Sequence, residues 1–174
     1  MMKRIAVVNI FGTIPGESGY SRSHYICKYL VESGYQVDLI VGTFNHWEKT
    51  FKDKDLYKNA DVLYNVIVLE NSAYSKNISF ARYKSQFVFA KNLTSYFKGK
   101  DGYYDIIINE LPPSEVGLKC IQYCRRNNIP YVIDLNDLWP EAFSMVIKNK
   151  VLWYILTTPI RLASNKVYSE ADGI

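Results

Sequence analysis

Short apolar runs alternate with longer stretches of helical period along this 174-residue chain. Arg4 to Phe11 is nearly continuous in apolar, branched residues, the pattern of a strand covered on both faces. A Gly/Pro/Ser loop follows, and a helix is predicted from about Ser21 to Ser33, ending at Gly34, a residue suited to a left-handed cap. Further strands are predicted over Gln36 to Val41, Val66 to Leu69, Asp105 to Asn109 and Tyr131 to Leu135. Further helices are predicted over Phe80 to Phe97, from a capping Ser114 to about Arg126, and over Val146 to Tyr168 with a kink or break at Pro159. This rhythm predicts an α/β fold, a Rossmann-like parallel β-sheet with helices on both faces. Ligands of such sheets sit beyond the carboxyl ends of the strands. The loop after Phe11, the turn Asn109 to Pro113 and the turn Asn136 to Glu141 should therefore share one rim. With no internal repeat or low-complexity linker, residues 1–174 read as one domain. The last residues, Ala171 to Ile174, look like the start of another strand, so the chain is expected to continue.

Composition narrows the class. Hydrophobic residues at 48% and charged residues at 22% are globular values and exclude a disordered chain. Cys120 and Cys124 fall one helical turn apart, with no His nearby. Together with Cys27 they read as buried reduced thiols in a reducing cytoplasm, not as a metal site. The apolar run Ile5 to Val8 breaks at Asn9, too soon for a signal-peptide core. Val151 to Ile160 is interrupted by Thr157, Thr158 and Pro159 and cannot span a bilayer.

Three segments could carry chemistry. Gly12-Thr-Ile-Pro-Gly16-Glu-Ser-Gly19-Tyr20-Ser-Arg22 lies between the first strand and the first helix, where glycines let backbone N–H groups approach a phosphate. Its spacing is not that of a dinucleotide fingerprint, and the second strand ends in Gly42-Thr43 where a ribose-binding acid would be needed, which disfavours a nicotinamide-dependent oxidoreductase. A glycine-bearing turn without a ligand is the plainer alternative. Asp134-Leu-Asn-Asp137-Leu-Trp139-Pro-Glu141 puts three carboxylates and an indole where the fifth strand leaves the sheet. Such acids can accept hydrogen bonds from sugar hydroxyls, and the indole can cover a sugar's apolar face. The competing reading is an ordinary helix start, with Asp137 as a cap and Trp139 as a core plug. Asp134, inside the strand, reads as structural. The third segment is Glu110-Leu-Pro-Pro113.

The first loop with Arg22, Glu110-Leu-Pro-Pro113 and Asp137-Leu-Trp-Pro-Glu141, in that order, resemble family-four retaining glycosyltransferases of the GT-B fold. The resemblance is nearest to the subgroup that builds bacterial surface polysaccharides, such as the amino-sugar transferases of capsule, colanic acid and O-antigen pathways. It spans the whole chain, with one departure: Asn136 stands where Arg is expected. The resemblance implies an amino-terminal, acceptor-side domain. A second domain would bind most of a nucleotide-sugar donor, expected to be UDP-linked, with no other cofactor and no metal. It further implies that Gly16, Gly19, Tyr20 and Arg22 lie near the donor diphosphate and acceptor. Glu110 and Trp139 would contact the saccharide, and Asp137 and Glu141 would act at the accepting hydroxyl. The 174 residues alone should transfer no sugar. A non-catalytic flavodoxin-like binding domain is the alternative, although a receiver-type acidic pocket after the first strand is missing.

Between Glu70 and Asp101 there is no acid but six cations, Lys76, Arg82, Lys84, Lys91, Lys98 and Lys100. Phe80, Tyr83, Phe87, Ala90 and Thr94 share a helical face predicted to be core, which leaves Phe89 and Tyr96 outward beside the lysine stripe. A second acid-free stretch, Ala142 to Ser169, carries Lys148, Lys150, Arg161 and Lys166 with Trp153 and Tyr154. Cations beside outward aromatics suit an anionic membrane surface, and the implied acceptor is a saccharide that can be lipid-linked. The expected location is therefore cytoplasmic, peripheral on the inner face of the cell membrane. Nucleic acid is not an expected partner: the net charge of +4 is modest and no recognition motif accompanies it.

Overall fold

The computed structural model describes residues 2–19, 21–58, 60–141 and 147–174. Five strands, β1 (Arg4–Val8), β2 (Gln36–Gly42), β5 (Asn65–Leu69), β6 (Ile106–Leu111) and β7 (Tyr131–Leu135), form one sheet in the order β5-β2-β1-β6-β7. Every pairing in it is parallel. Successive side chains of β1 point to opposite faces. Ala6 and Val8 join a core under α3 (Phe80–Phe97), α4 (Ser114–Asn127) and the end of α5 (Lys150–Ser169), whereas Ile5 and Val7 join a second core under α1 (Arg22–Glu32) and α2 (Lys54–Lys58). The branched, unbroken runs are thus buried on both sides, as a parallel sheet requires. Gly34 follows α1 at φ +87°, as expected of a left-handed cap. Beyond α5, Gly173 bridges Val132 in parallel and accepts a 2.9 Å hydrogen bond from the Ile133 amide, adding pairing at the β7 edge. Cys27, Cys120 and Cys124 are buried free thiols.

The structure corrects three expectations. The first concerns α3, which buries Ser85, Gln86, Phe89, Ala90, Leu93 and Phe97, while Phe80 and Phe87 are exposed and Tyr96 packs against the core. Aromatics occur all around this helix, so apolar period alone could not choose the face. The face is fixed by the shared core: Phe89 and Leu93 join residues of the sheet there, and Phe97 stacks on Tyr123 of α4, ring centroids 4.3 Å apart. Phe89 therefore cannot meet a membrane. Second, Ser114 is not a cap. Pro113 takes that position, and the buried Ser114 hydroxyl lies 2.7 Å from that of Ser164 on α5. Third, α5 runs through Pro159 without a break. The amide that proline lacks would have served Ile155, an exposed residue whose carbonyl water can satisfy. Its predicted start at Val146 lies outside the described residues. After β2 comes a segment for which the sequence predicts no element. It forms a small antiparallel hairpin, β3 (Phe44–Asn45) with β4 (Thr50–Phe51), and two-residue strands carry no readable period.

Candidate functional site

The carboxyl ends of β1, β6 and β7 meet the start of α1 around a cavity of about 640 Å³. After β1 the chain turns at Asn9, whose side-chain oxygen accepts from the Phe11 amide at 2.9 Å, leaving its Nδ2 free to reach sideways. That Nδ2 donates to Glu110 at 2.5 Å. The Glu110 carboxylate also accepts from the Ser23 hydroxyl at 2.9 Å and from Asn136. Register places Asp134 of β7 beside Glu110 of β6. There the Arg22 guanidinium grips Asp134 through two bonds, Nε at 2.7 Å and Nη2 at 2.5 Å. Asp134 thus orients Arg22 at the cavity.

Arg22, Glu110 and Asp137, expected from sequence, line this cavity together, joined by His46, Trp47 and Arg82, which sequence reasoning did not place there. Tyr20 lies outside the described residues. Gly16 and Gly19 take φ of +94° and +133° in the neighbouring loop, and Trp47 covers Gly19. Buried Lys52 braces that loop: its ammonium donates to the Gly12 carbonyl at 2.5 Å and lies 3.8 Å from Glu17, which also accepts from Tyr57. Trp139 lies just outside, beside Arg82, whose guanidinium is stacked between the Phe11 and Trp139 rings at 5.1 and 5.3 Å from their centroids. Glu141 is exposed, with its charge felt by Tyr168, and does not line the cavity. A larger hollow of about 810 Å³ lies along β5, but its ammonium, Lys52, is already committed to Gly12 and Glu17. Convergent polar groups, which mark a site better than volume does, are found at the rim.

Burial sets the protonation of this site. Desolvation raises Glu110 from its ordinary 4.5 to about 7, against the lowering pull of Ser23, Arg22 and Asn136. Desolvation, helped by the charges of Arg82 and Lys49, lowers His46 from 6.5 to about 4. A neutral imidazole and a carboxyl near half-protonation at neutral pH thus line the same cavity. A carboxyl raised on folding loses stabilising power as pH rises from about 4.5 to about 7. A histidine lowered on folding loses it as pH falls from about 6.5 to about 4. The two slopes oppose each other. Relative to the unsubstituted chain, Glu110→Gln should gain stability with rising pH and His46→Asn should gain it with falling pH. Urea melts from pH 4.5 to 6.5 check this; parallel profiles for the two variants would contradict it.

No protein-family model matches this chain, and no curated protein matches it in sequence. Solved structures do match in shape. Sucrose-phosphate synthase from Thermosynechococcus elongatus superposes with a TM-score of 0.62 at 13% identity, over 98% of this chain and 41% of that one. A second sucrose-phosphate synthase structure from that organism matches at 0.50 and 10% identity, over 95% of this chain and 99% of the other. MurG from Acinetobacter baumannii, at 0.43 and 15% identity over 91% of this chain and 39% of that one, is too distant in shape to carry an argument. The chain therefore spans about two fifths of the first of these structures. At such identities the likeness shows the fold, a Rossmann-like half of a GT-B architecture.

Proposed function

We propose that this chain is the acceptor-side domain of a retaining, metal-independent glycosyltransferase that moves a sugar from a nucleotide-sugar donor to a saccharide acceptor in surface-polysaccharide synthesis. The observation that carries the reading is the rim cavity, where Arg22, Glu110 and Asp137 converge at the carboxyl ends of three parallel strands. The fold neighbours, which are glycosyltransferases, support sugar transfer as the general class. Carboxylates and an amide on such a rim hydrogen-bond hydroxyls. Glu110, near half-protonation, can accept from one hydroxyl or donate to another. Asp137 orients the accepting hydroxyl. We assign Gly16, Gly19 and Tyr20 to the donor diphosphate, and Trp139 and Glu141 to the acceptor side. The uridine and most diphosphate contacts belong to a second domain outside these residues. The 174-residue chain should accordingly bind UDP no more tightly than about 1 mM. Calorimetry checks this, and micromolar binding would overturn the domain assignment.

The acceptor is proposed to be lipid-linked, with the domain peripheral on an anionic membrane. No described helix is long and apolar enough to cross one. Instead α5 exposes Leu152, Tyr154, Ile155, Leu156 and Leu162 alongside Lys150 and Lys166. Lys84, Lys91 and Lys98 of α3 are exposed as expected. Each basic residue near an anionic surface adds on the order of 1 kcal/mol. The domain should co-sediment with anionic vesicles and not neutral ones, less so in salt. Leu152→Ser with Ile155→Ser should remove the part that persists in salt. Equal sedimentation with both vesicle types would refute the electrostatic contact.

A further inference from the structure

Among the described residues, Arg82 alone lines two hollows. It lines the polar rim cavity and also a second hollow, of about 400 Å³, between α3 and α5. The second hollow is walled by Ile78, Phe80, Trp139, Leu156 and Ile160. It opens beside the exposed apolar face of α5, where Leu156 is 55% exposed. One polar hollow, one cation and one apolar hollow thus lie in sequence.

Among the described residues the cation has no ion-pair partner. Arg82 Nη1 donates to the Asn77 carbonyl at 2.8 Å, but its Nε is buried with no hydrogen-bond partner. One helical turn on, the Gln86 amide is also buried in the same hollow without a partner. Two unmet donors therefore sit side by side on one face of α3. Lys49 adds a second cation, its ammonium held by the Asn77 side chain at 2.6 Å, so a single asparagine joins both charges. Among the described residues no carboxylate forms an ion pair with either. Asp137 favours the charge of Arg82 only from a distance. A partly buried cation whose buried Nε has no partner is costly unless an anion meets it.

Resting on the acceptor-side reading above, we infer that Arg82, with Gln86 and Lys49, binds the phosphate oxygens of an acceptor whose saccharide lies in the rim cavity and whose apolar chain lies in the α3–α5 hollow. A guanidinium clamped between two rings loses little freedom on meeting such a group, and its planar edge fits two phosphate oxygens. The apolar hollow recognises the chain by burial.

Decyl phosphate, inorganic phosphate, decanol and UDP, titrated by calorimetry into the chain, separate the possible sources of the phosphate. Decyl phosphate should bind at least about tenfold more tightly than each of the others. Arg82→Gln should lose about that factor, and melting should confirm that it folds, since it removes a partly buried charge with no ion-pair partner among the described residues. Leu156→Asp, at an exposed wall position, should weaken decyl phosphate and leave inorganic phosphate unchanged. Decyl phosphate no tighter than decanol would show the charge to be irrelevant. Affinity no better than that of inorganic phosphate would do the same for the hollow. Tighter binding of UDP would assign the oxyanion site to the donor. Each of these results, or no binding at all, overturns the inference. All of them leave the sugar-transfer reading standing, because none depends on turnover.

Discussion

Asp137→Asn in the full-length protein should lower sugar transfer at least about 100-fold while leaving donor affinity within a few-fold, the size of effect seen when one preorganised polar group is lost from a site. Among the described residues no hydrogen bond or ion pair engages the Asp137 carboxylate, in contrast with Asp134, gripped by Arg22, and Glu110, held by three donors. It lines the cavity and is exposed there, so its charge is available to an incoming hydroxyl. Asparagine keeps the size and removes the charge, and because the residue is exposed the fold should be indifferent. Glu141→Gln, at a position away from the cavity, should cost less. Steady-state kinetics with both substrates varied decides between these outcomes. A loss of only a few-fold for Asp137→Asn would reduce the turn from Asp137 to Glu141 to a helix start.

Gly19→Ala should destabilise the domain by about 2–4 kcal/mol, more than most single substitutions. Its backbone lies at φ +133°, where a side chain is strained whatever the space available. A Cβ there would also lie 2.1 Å from Trp47 Cδ1 and 2.8 Å from the buried Thr13 Cγ2. Trp47 lines the rim cavity, so relief of the clash must move either the glycine loop or a wall of the site. Gly34→Ala is the control: its φ of +87° is also left-handed, but nothing lies within 4 Å of the added carbon. It should cost about 1 kcal/mol, the conformational part alone. Equal losses for the two variants, measured by urea denaturation, would show that packing against Trp47 is unimportant.

The sheet was legible because its strands are buried on both faces, which demands unbroken branched runs such as Ile5 to Val8 and Tyr131 to Leu135. The rim was legible for the same reason, since strand ends in a parallel sheet must gather on one side. Arg22, Glu110 and Asp137 could therefore be named together. What escaped was decided by tertiary contact. Phe89 and Phe87 are alike in sequence, yet Phe89 enters the core shared with the sheet and Phe87 is half exposed. Arg82 reads as one cation in a basic run and becomes a site residue only when Phe11 and Trp139 close on it from distant segments. His46 sits in a hairpin too short to predict. The Asn9–Glu110 and Ser23–Glu110 bonds join residues 101 and 87 positions apart. The one available signal was Asn9, a polar residue interrupting an otherwise apolar strand at the rim.

The central claim is that the rim cavity receives the acceptor of a sugar transfer. The most direct test follows nucleoside diphosphate released by the full-length protein from a panel of UDP-sugars, with and without short saccharide acceptors. The account predicts release that depends on the acceptor, is lost in Asp137→Asn, and requires no added metal. Release from no donor under any acceptor, or release equal with and without one and unchanged by Asp137→Asn, would contradict it.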